Sequence, residues 1–578
     1  MKKKTCKSIV CIVLIAVLSV IGGCSYRPLP AQTADGKVLF RIGFTGSPDS
    51  LNPYAAGNDE ARAVFSLLYD TLFAVDPESW EVSGSLCSEY EVRDSAAGAK
   101  LWRMTLRDDV YWHDGEKLTA SDVEFTLQSA KELSTLYSYP DCELLDVTGI
   151  AVEDETHLAM VVWGEEDLVK ACLSDIPILP RHIWNSFAFM RYDASGVSAD
   201  TKLARESIGT VRTDRVTMVG SGLYRWAGYE NGVCTLERND LYWGGSARAE
   251  VVRLCYNLAD TVSALTQGQI DACWEMSLNS YQALAQDETQ RLTVGAPGEM
   301  YTLGFNFASP SSPIRTPAVR QALEYCTSRD TILLHAFGGG FSERGLLSPF
   351  SRYYYMDEYV FGRPYSIETA AGLLSGAGYS DKNGDGILES ASGEPLSLTL
   401  LYSSADSAWE QAAGILKAGC ARAGIEIRLL PLPPGEFTSA VAAGLYDLVL
   451  TARKSIIEPA FVLGAYYWND GDNAFAVYDG KGVVSSLGWN DSGYSSAGYD
   501  AIYERLLRAA EDGEKDALTA QAGEYLYNDT ACVTIGFAAE YQACSRVWGS
   551  VRTDPETGLY FTPRTLCAQL RSMTAGGR

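Results

Sequence analysis

The chain has 578 residues and a formal net charge of −26, from 73 Asp and Glu against 47 Lys and Arg. A surface that acidic repels nucleic acid and anionic lipid, which excludes nucleic-acid binding as a principal role. The length exceeds what one hydrophobic core organises, so two or three domains are expected.

Lys2, Lys3, Lys4 and Lys7 open the chain, Ile9 to Ile21 is apolar apart from Ser19, and small residues follow at Gly22 and Gly23. That order reads as an export signal. As a helix the apolar run would reach about 20 Å, short of the roughly 30 Å hydrocarbon core, so a spanning anchor is not expected. Ile21, Gly22, Gly23 and Cys24 resemble the lipobox of bacterial lipoproteins, which implies cleavage before Cys24 and lipidation of that cysteine. The alternative is an ordinary signal peptide with an incidental cysteine. Removal of residues 1–23 takes away four lysines and no acids, moving the net charge to −30.

Residues 25–36 are polar and rich in small residues and proline, as a tether would be. "KVLFRIGF" then reads as a buried strand. Asn58 is placed to cap a helix whose Ala61, Val64, Phe65 and Leu68 share one face. In "LWRMTLRDDVYWHDG", Trp102, Met104 and Leu106 alternate with polar residues, the period of a half-buried strand. Thr119 and Asp122 form a capping box ahead of a helix through Val123 and Leu127. Farther on, "SIETAAGLLSGAGY" predicts a helix with Ile367, Ala370, Ala371 and Leu374 on one face and a stop at Gly376 and Gly378. "LSLTLLY", "SAWEQAAGILKAGCARAG" and "IEIRLL" follow as strand, helix and strand, a βαβ unit with parallel pairing. The fold class is α/β.

Only four histidines occur, His113, His157, His182 and His335, with no zinc-binding spacing. No nucleophile elbow, P-loop or dinucleotide fingerprint is present, so no catalytic residue and no cofactor is assigned, and the protein is read as not an enzyme. "DKNGDGILESAS" matches the first half of a calcium loop at Asp381, Asn383, Asp385 and Gly386, but its twelfth position is Ser392 where a bidentate glutamate is needed. A polar turn is the reading adopted, with no metal site. The cysteines lie in apolar surroundings without C-x-x-C pairs, which favours packed thiols over a disulfide framework.

"SPDSLNPY", "LYDTLFAVDP", "TLRDDVYWHDGEKLTASDVEFTL", "ILPRHIW", "GSGLYRW", "LERNDLYWGG", "GQIDA", "FNF", "VRQALEYCTSRD" and "GYDAIYERL" stand in the order seen in the solute-binding proteins of peptide/nickel-type ABC importers. Spanning about Val38 to Phe537, the sequence resembles the oligopeptide and dipeptide receptors of this family 5. The resemblance implies a fold like the type II periplasmic binding proteins, with two α/β lobes joined by a hinge and an additional lobe. Its expected layout is a signal peptide over 1–23, a lipidated N-terminus and tether over 24–36, and lobe I from 37–66, 177–300 and 530–578. The additional lobe II takes 67–176 and lobe III 301–529. The implied partners are an ABC permease with its ATPase subunits, a small organic or peptide ligand, and the membrane through lipid on Cys24. A monomer is expected, held at the outer face of the cell membrane.

In the oligopeptide receptors, an aspartate that pairs with the peptide ammonium group stands shortly before an acidic-Pro pair. Here Asp447 opens the stretch and Glu458-Pro459 closes it, but Ser455 or Ile456 takes the aspartate's place, beside Arg453 and Lys454. Two basic groups would favour an anionic ligand group; the alternative is a pair of solvated surface cations. Trp274 matches the place of a ligand-touching aromatic in these receptors, and its neighbour Glu275 is acidic. Tyr301 lies in the hinge-crossing stretch, Glu299 could supply the missing acid, and Gly46, Ser47 and Pro48 form the loop that faces ligand in relatives. A surface sensor or adhesion lipoprotein of the same fold and a secreted hydrolase are the competing functions, the latter disfavoured by the missing motifs.

Overall fold

The computed structural model describes residues 29–95, 99–132, 146–163, 166–188, 190–193, 196–199, 211, 213, 216–342, 345–350, 363–454, 459–467, 490, 492–506, 509 and 511–575. Cys24 and Ser455 lie outside the described residues.

Strand β1 (Leu39–Gly43) is buried on both faces, as a central strand in a parallel arrangement must be. Its one charge, Arg41, is met by Asp271, with Nε donating to Oδ2 at 2.8 Å and Nη2 to Oδ1 at 3.1 Å. Helix α1 (Asp59–Leu68) starts where the sequence places it: Asn58 Oδ1 accepts the Ala61 amide at 3.2 Å, and Ala61, Val64, Phe65 and Leu68 are buried.

Strands β2 (Cys87–Asp94), β3 (Lys100–Leu106), β4 (Asp146–Val152) and β5 (His157–Trp163) form an antiparallel sheet in the order β2-β3-β5-β4, with helix α2 (Ala120–Glu132) packed on it. The alternation of β3 holds, with Trp102, Met104 and Leu106 buried. Asp122 closes the start of α2 by accepting the Thr119 amide at 2.8 Å and hydroxyl at 3.1 Å.

The chain continues through β6 (Tyr224–Glu230), β7 (Val233–Arg238), β8 (Val251–Cys255), β9 (Ala272–Met276), β10 (Gln290–Gly295) and β11 (Glu299–Phe305). Next come α3 (Pro317–Cys326), α4 (Arg329–Ala336), β12 (Gly340–Phe341), α5 (Ile367–Gly376), β13 (Ser397–Ser403), α6 (Ser407–Arg422), β14 (Glu426–Leu432) and β15 (Leu448–Lys454). It closes with β16 (Cys532–Ala538), β17 (Glu540–Ser545) and α7 (Leu566–Ser572). One seven-stranded sheet has the order β6-β7-β8-β1-β9-β17-β10, and a six-stranded sheet has the order β12-β16-β11-β15-β13-β14. Strands β13 and β14 pair in parallel from Ser397↔Glu426 to Ser403↔Leu432, as the βαβ reading requires.

The seven-stranded and four-stranded sheets share one hydrophobic core, which runs from Phe40 through Trp102 and Trp184 to Trp548. The six-stranded sheet has its own, around Leu303, Leu323, Leu400 and Ile535. In this second core Glu324 is buried between two guanidinium groups, accepting from Arg329 Nη2 at 3.1 Å and Arg363 Nη1 at 2.6 Å. The chain passes between the two large sheets at Ala296–Gly298 and at Ala539, side by side. Among the described residues no helix is long and apolar enough to cross a membrane.

Candidate functional site

The crossings set the edges of the two large sheets against each other. On the seven-stranded side, the carboxyl ends of β1, β8 and β9 lie at the same edge as the start of β17. On the six-stranded side, the start of β11 meets the end of β15, with Glu299 in register with Lys454. In open α/β sheets ligands bind outside the carboxyl ends of the strands, which makes this crevice the candidate site.

Four carboxylates gather on the seven-stranded edge. Asp59 and Glu60 come from the first turn of α1, Glu275 from β9, and Glu540 from the first position of β17. Loss of water raises the Glu60, Glu275 and Glu540 carboxyls above the usual range, and the charge of Asp59 raises all three further. Glu275 and Glu60 also act on Glu540, which burial raises well above the usual range and a hydrogen bond from Gln542 only partly offsets. A cationic group brought here would relieve this repulsion.

The loop after β1 is fixed beside these acids. Asn58 Nδ2 donates to the Ser47 carbonyl at 2.8 Å, and the Asn257 amide donates to the Gly46 carbonyl at 2.9 Å. Gly46 lies close against Glu60: a Cβ there would fall 2.1 Å from Oε1, so a larger residue would displace that carboxylate. Trp274 lies beneath the edge, 3% exposed, between Phe44 at 5.2 Å and Phe561 at 6.4 Å, with both rings tilted under 30° from its plane (28° and 24°).

Across the crevice, Glu299 is exposed and Tyr301 is half-buried with its ring flat on Phe337 at 3.8 Å. Arg453 is half-buried, pairs in register with Met300, and its charge reaches the Cys532 thiol. Alternation along β15 therefore puts Arg453 on the sheet face of Met300, opposite to the face of Tyr301. Of Lys454 only the backbone position is described. The structure thus brings Ser47 and Glu275 together on one edge and Glu299, Tyr301 and Lys454 on the other, with Trp274 below the first.

Sequence reasoning did not find Asp59, Glu60 or Glu540. Asp59 and Glu60 read as ordinary acids of a first helical turn, and nothing in "AAEYQ" marks Glu540, which joins the group only through the strand order β9-β17-β10.

Elsewhere, Asp381, Asp385 and Glu389 each bring a carboxylate oxygen within 4.8 Å of the others. The loop therefore gathers its acids more closely than its twelfth residue suggests, yet Glu389 is already taken by the Lys382 amide at 2.7 Å and Asn383 Nδ2 at 2.9 Å. The ten described cysteines are free thiols, seven of them buried. A small recess lined by Arg62, Tyr69, Asp70, Asp175, Arg564 and Arg571 among others contains none of the candidate residues.

Comparison with known proteins agrees with this architecture. The profile of the bacterial extracellular solute-binding proteins, family 5 middle, matches residues 78–474. The oligopeptide-binding protein AppA of Bacillus subtilis is 24% identical over 434 residues, covering 72% of this chain and 74% of AppA. The periplasmic oligopeptide-binding protein OppA of Salmonella typhimurium is 22% identical over 581 residues, covering 97% of this chain and 98% of OppA. The crystal structure of a periplasmic oligopeptide-binding protein of an ABC transporter from Thermotoga maritima superposes with a TM-score of 0.68 at 20% identity, over 93% of this chain and 99% of that one.

Proposed function

We propose that this chain, which belongs to family 5 of the bacterial extracellular solute-binding proteins, captures a peptide-like solute by its ammonium group and delivers it to an ABC permease. Members of this family bind peptides and work with permease and ATPase subunits, and they are binding proteins. The fold is the two-lobed α/β fold of that family, with the crevice between its large sheets as the binding cleft.

The convergence of Asp59, Glu60, Glu275 and Glu540 carries the reading. Carboxylates held close enough to raise one another's pKa are stabilised by a bound cation, and a charge-assisted hydrogen bond contributes about 1.5–3 kcal/mol. The acid missing from the Ser455 stretch is then supplied from the opposite sheet. Arg453, on the Met300 face, is assigned no first role in recognising the solute, and Glu299 is kept as a second acid at the rim. Ser47 and Trp274 are assigned to the floor of the cleft, Ser47 through its loop and Trp274 by supporting it. Anchoring through lipid on Cys24 and a monomeric state complete the proposal, resting on the sequence of the leader and on delivery to a membrane partner. No observation favours the sensor or adhesion alternative.

Equilibrium binding of tri-alanine in its free, N-acetylated and C-amidated forms tests the reading. Acetylation is expected to weaken binding at least tenfold and amidation to change it little. Indifference to acetylation, or tighter binding of the acetylated form, would return recognition to Arg453 and Lys454.

A further inference from the structure

A second cluster lies on the other side of the hinge from the acids, and the proposed function does not use it. Tyr301 and Phe337 are face to face, with ring centroids 3.8 Å apart and planes 9° from parallel. Trp409 stands edge-on to both, at 5.8 Å and 81° from Tyr301 and at 5.2 Å and 73° from Phe337. Tyr301 is the third residue of β11, just past the crossing; Phe337 ends α4; Trp409 lies in the first turn of α6, directly after the carboxyl end of β13. Three elements distant in sequence therefore deliver one ring each to the crevice edge of the six-stranded sheet.

Each ring packs one side against the core of the six-stranded sheet. All three rings stay half-buried, whereas Phe305 and Phe537 of the same sheet are fully buried at 0% exposure. Rings that keep part of their surface open beside polar groups are what ligand pockets use for contact area. Glu299 and Asp406 supply those polar groups: their charges, after burial, raise the Tyr301 phenol. The turn after Phe337 touches the seven-stranded side of the crevice. Gly338 and Gly339 follow Phe337 with φ of 72° and 128°, and a Cβ at Gly339 would fall 2.2 Å from Oη of Tyr541, the neighbour of Glu540 on β17. Only glycine lets the chain pass there.

We propose that Tyr301, Phe337 and Trp409 form a subsite for an aromatic side chain of the bound solute, beside the acidic subsite for its ammonium group. This rests on the proposed function and narrows the solute to peptides carrying an aromatic residue near the free amine.

Binding of Phe-Ala-Ala, Ala-Phe-Ala, Ala-Ala-Phe and Ala-Ala-Ala to the full chain, by calorimetry, tests it. Phe-Ala-Ala or Ala-Phe-Ala is expected to bind tenfold or more tighter than tri-alanine, and a preference for Ala-Ala-Phe alone would overturn the placement near the amine. Trp409→Ala is expected to remove that preference while leaving tri-alanine within twofold, and Trp409→Phe to keep most of it. Unchanged thermal melts of both variants would tie the effect to binding. Equal affinity for all four peptides, or a preference that survives both Trp409→Ala and Phe337→Ala, overturns the subsite and leaves the amine reading standing. Failure of every peptide to bind overturns both.

Discussion

Gln542 holds Glu540 in place: its Nε2 donates to Glu540 Oε1 at 2.6 Å and to the Phe561 carbonyl at 2.7 Å. Gln542 is fully buried, and its Oε1 accepts the Tyr560 and Phe561 amides at 2.9 and 2.8 Å. All of its polar atoms are thus committed, so the carboxyl it grips stays beside Asp59, Glu60 and Glu275.

The first prediction follows from that confinement. Because Glu60, Glu275 and Glu540 are raised above 4.5, the folded chain keeps protons that the unfolded chain has released. Their favourable contribution is complete below the unfolded value and is lost as pH rises through the folded values. Ligand-free Glu540→Gln should therefore melt higher than the wild type at pH 8 and match it at pH 4. Parallel melting curves across this range would show that the acids do not repel.

His113 should titrate with the opposite sign. Burial pushes its ring down to about 4; Nε2 lies 3.0 Å from the Gly222 carbonyl and Nδ1 accepts the Gly220 amide at 3.3 Å. The neutral ring is the one that fits, so its contribution is complete above 6.5 and is lost as pH falls toward about 4. A shift of that size corresponds to about 3 kcal/mol. Urea unfolding at pH 7 and pH 4.5 should show this loss in the wild type and a shallower one in His113→Ala.

Glu324 joins two guanidinium groups in the six-stranded unit. Glu324→Ala leaves Arg329 and Arg363 buried without their shared carboxylate and should cost about 3–5 kcal/mol. Denaturant midpoints check this, and a change under about 1 kcal/mol would mean the two guanidinium groups find other acceptors.

Trp274→Ala should destabilise by about 3–5 kcal/mol, since it opens a cavity between Phe44 and Phe561. Trp274→Phe should recover most of that loss. If Trp274→Ala leaves the fold intact and abolishes peptide binding alone, the residue meets the solute directly.

Cys24→Ala should move the protein from the membrane to the soluble fraction or leave an uncleaved precursor, as fractionation and intact mass would show. Unchanged membrane association would put the anchor elsewhere.

The elements were legible where local chemistry decides them. The Asn58 cap, the Thr119–Asp122 box and the alternation of Trp102, Met104 and Leu106 each appear in the structure as read. The βαβ unit from Ser397 to Leu432 is legible for the same reason, since strand, helix and strand follow in unbroken order. The acidic edge is not local: Asp59, Glu275 and Glu540 lie hundreds of residues apart and meet through the order of β9 and β17 in the sheet and the placing of α1 at its edge. Trp274 shows the reverse case. Its identity as a large aromatic beside an acid invites a ligand contact, yet only its depth under the edge shows how much of it is packed away. The same limit hid Phe337 and Trp409, which read as ordinary helix residues.

The place of β17 in the seven-stranded sheet has a consequence for how the chain is made. That strand lies between β9 and β10, yet it follows them in sequence by more than two hundred residues. Until ribosomes have finished nearly the whole polypeptide, β9 and β10 have a gap where their shared neighbour belongs, and the sheet stays incomplete. Contacts that far apart in sequence form late and slowly. An emerging chain therefore leaves this sheet unfinished for most of its synthesis. By the same logic, a truncation that removes only the last forty or so residues, β17 among them, would also detach β10, which reaches the largest sheet only through β17.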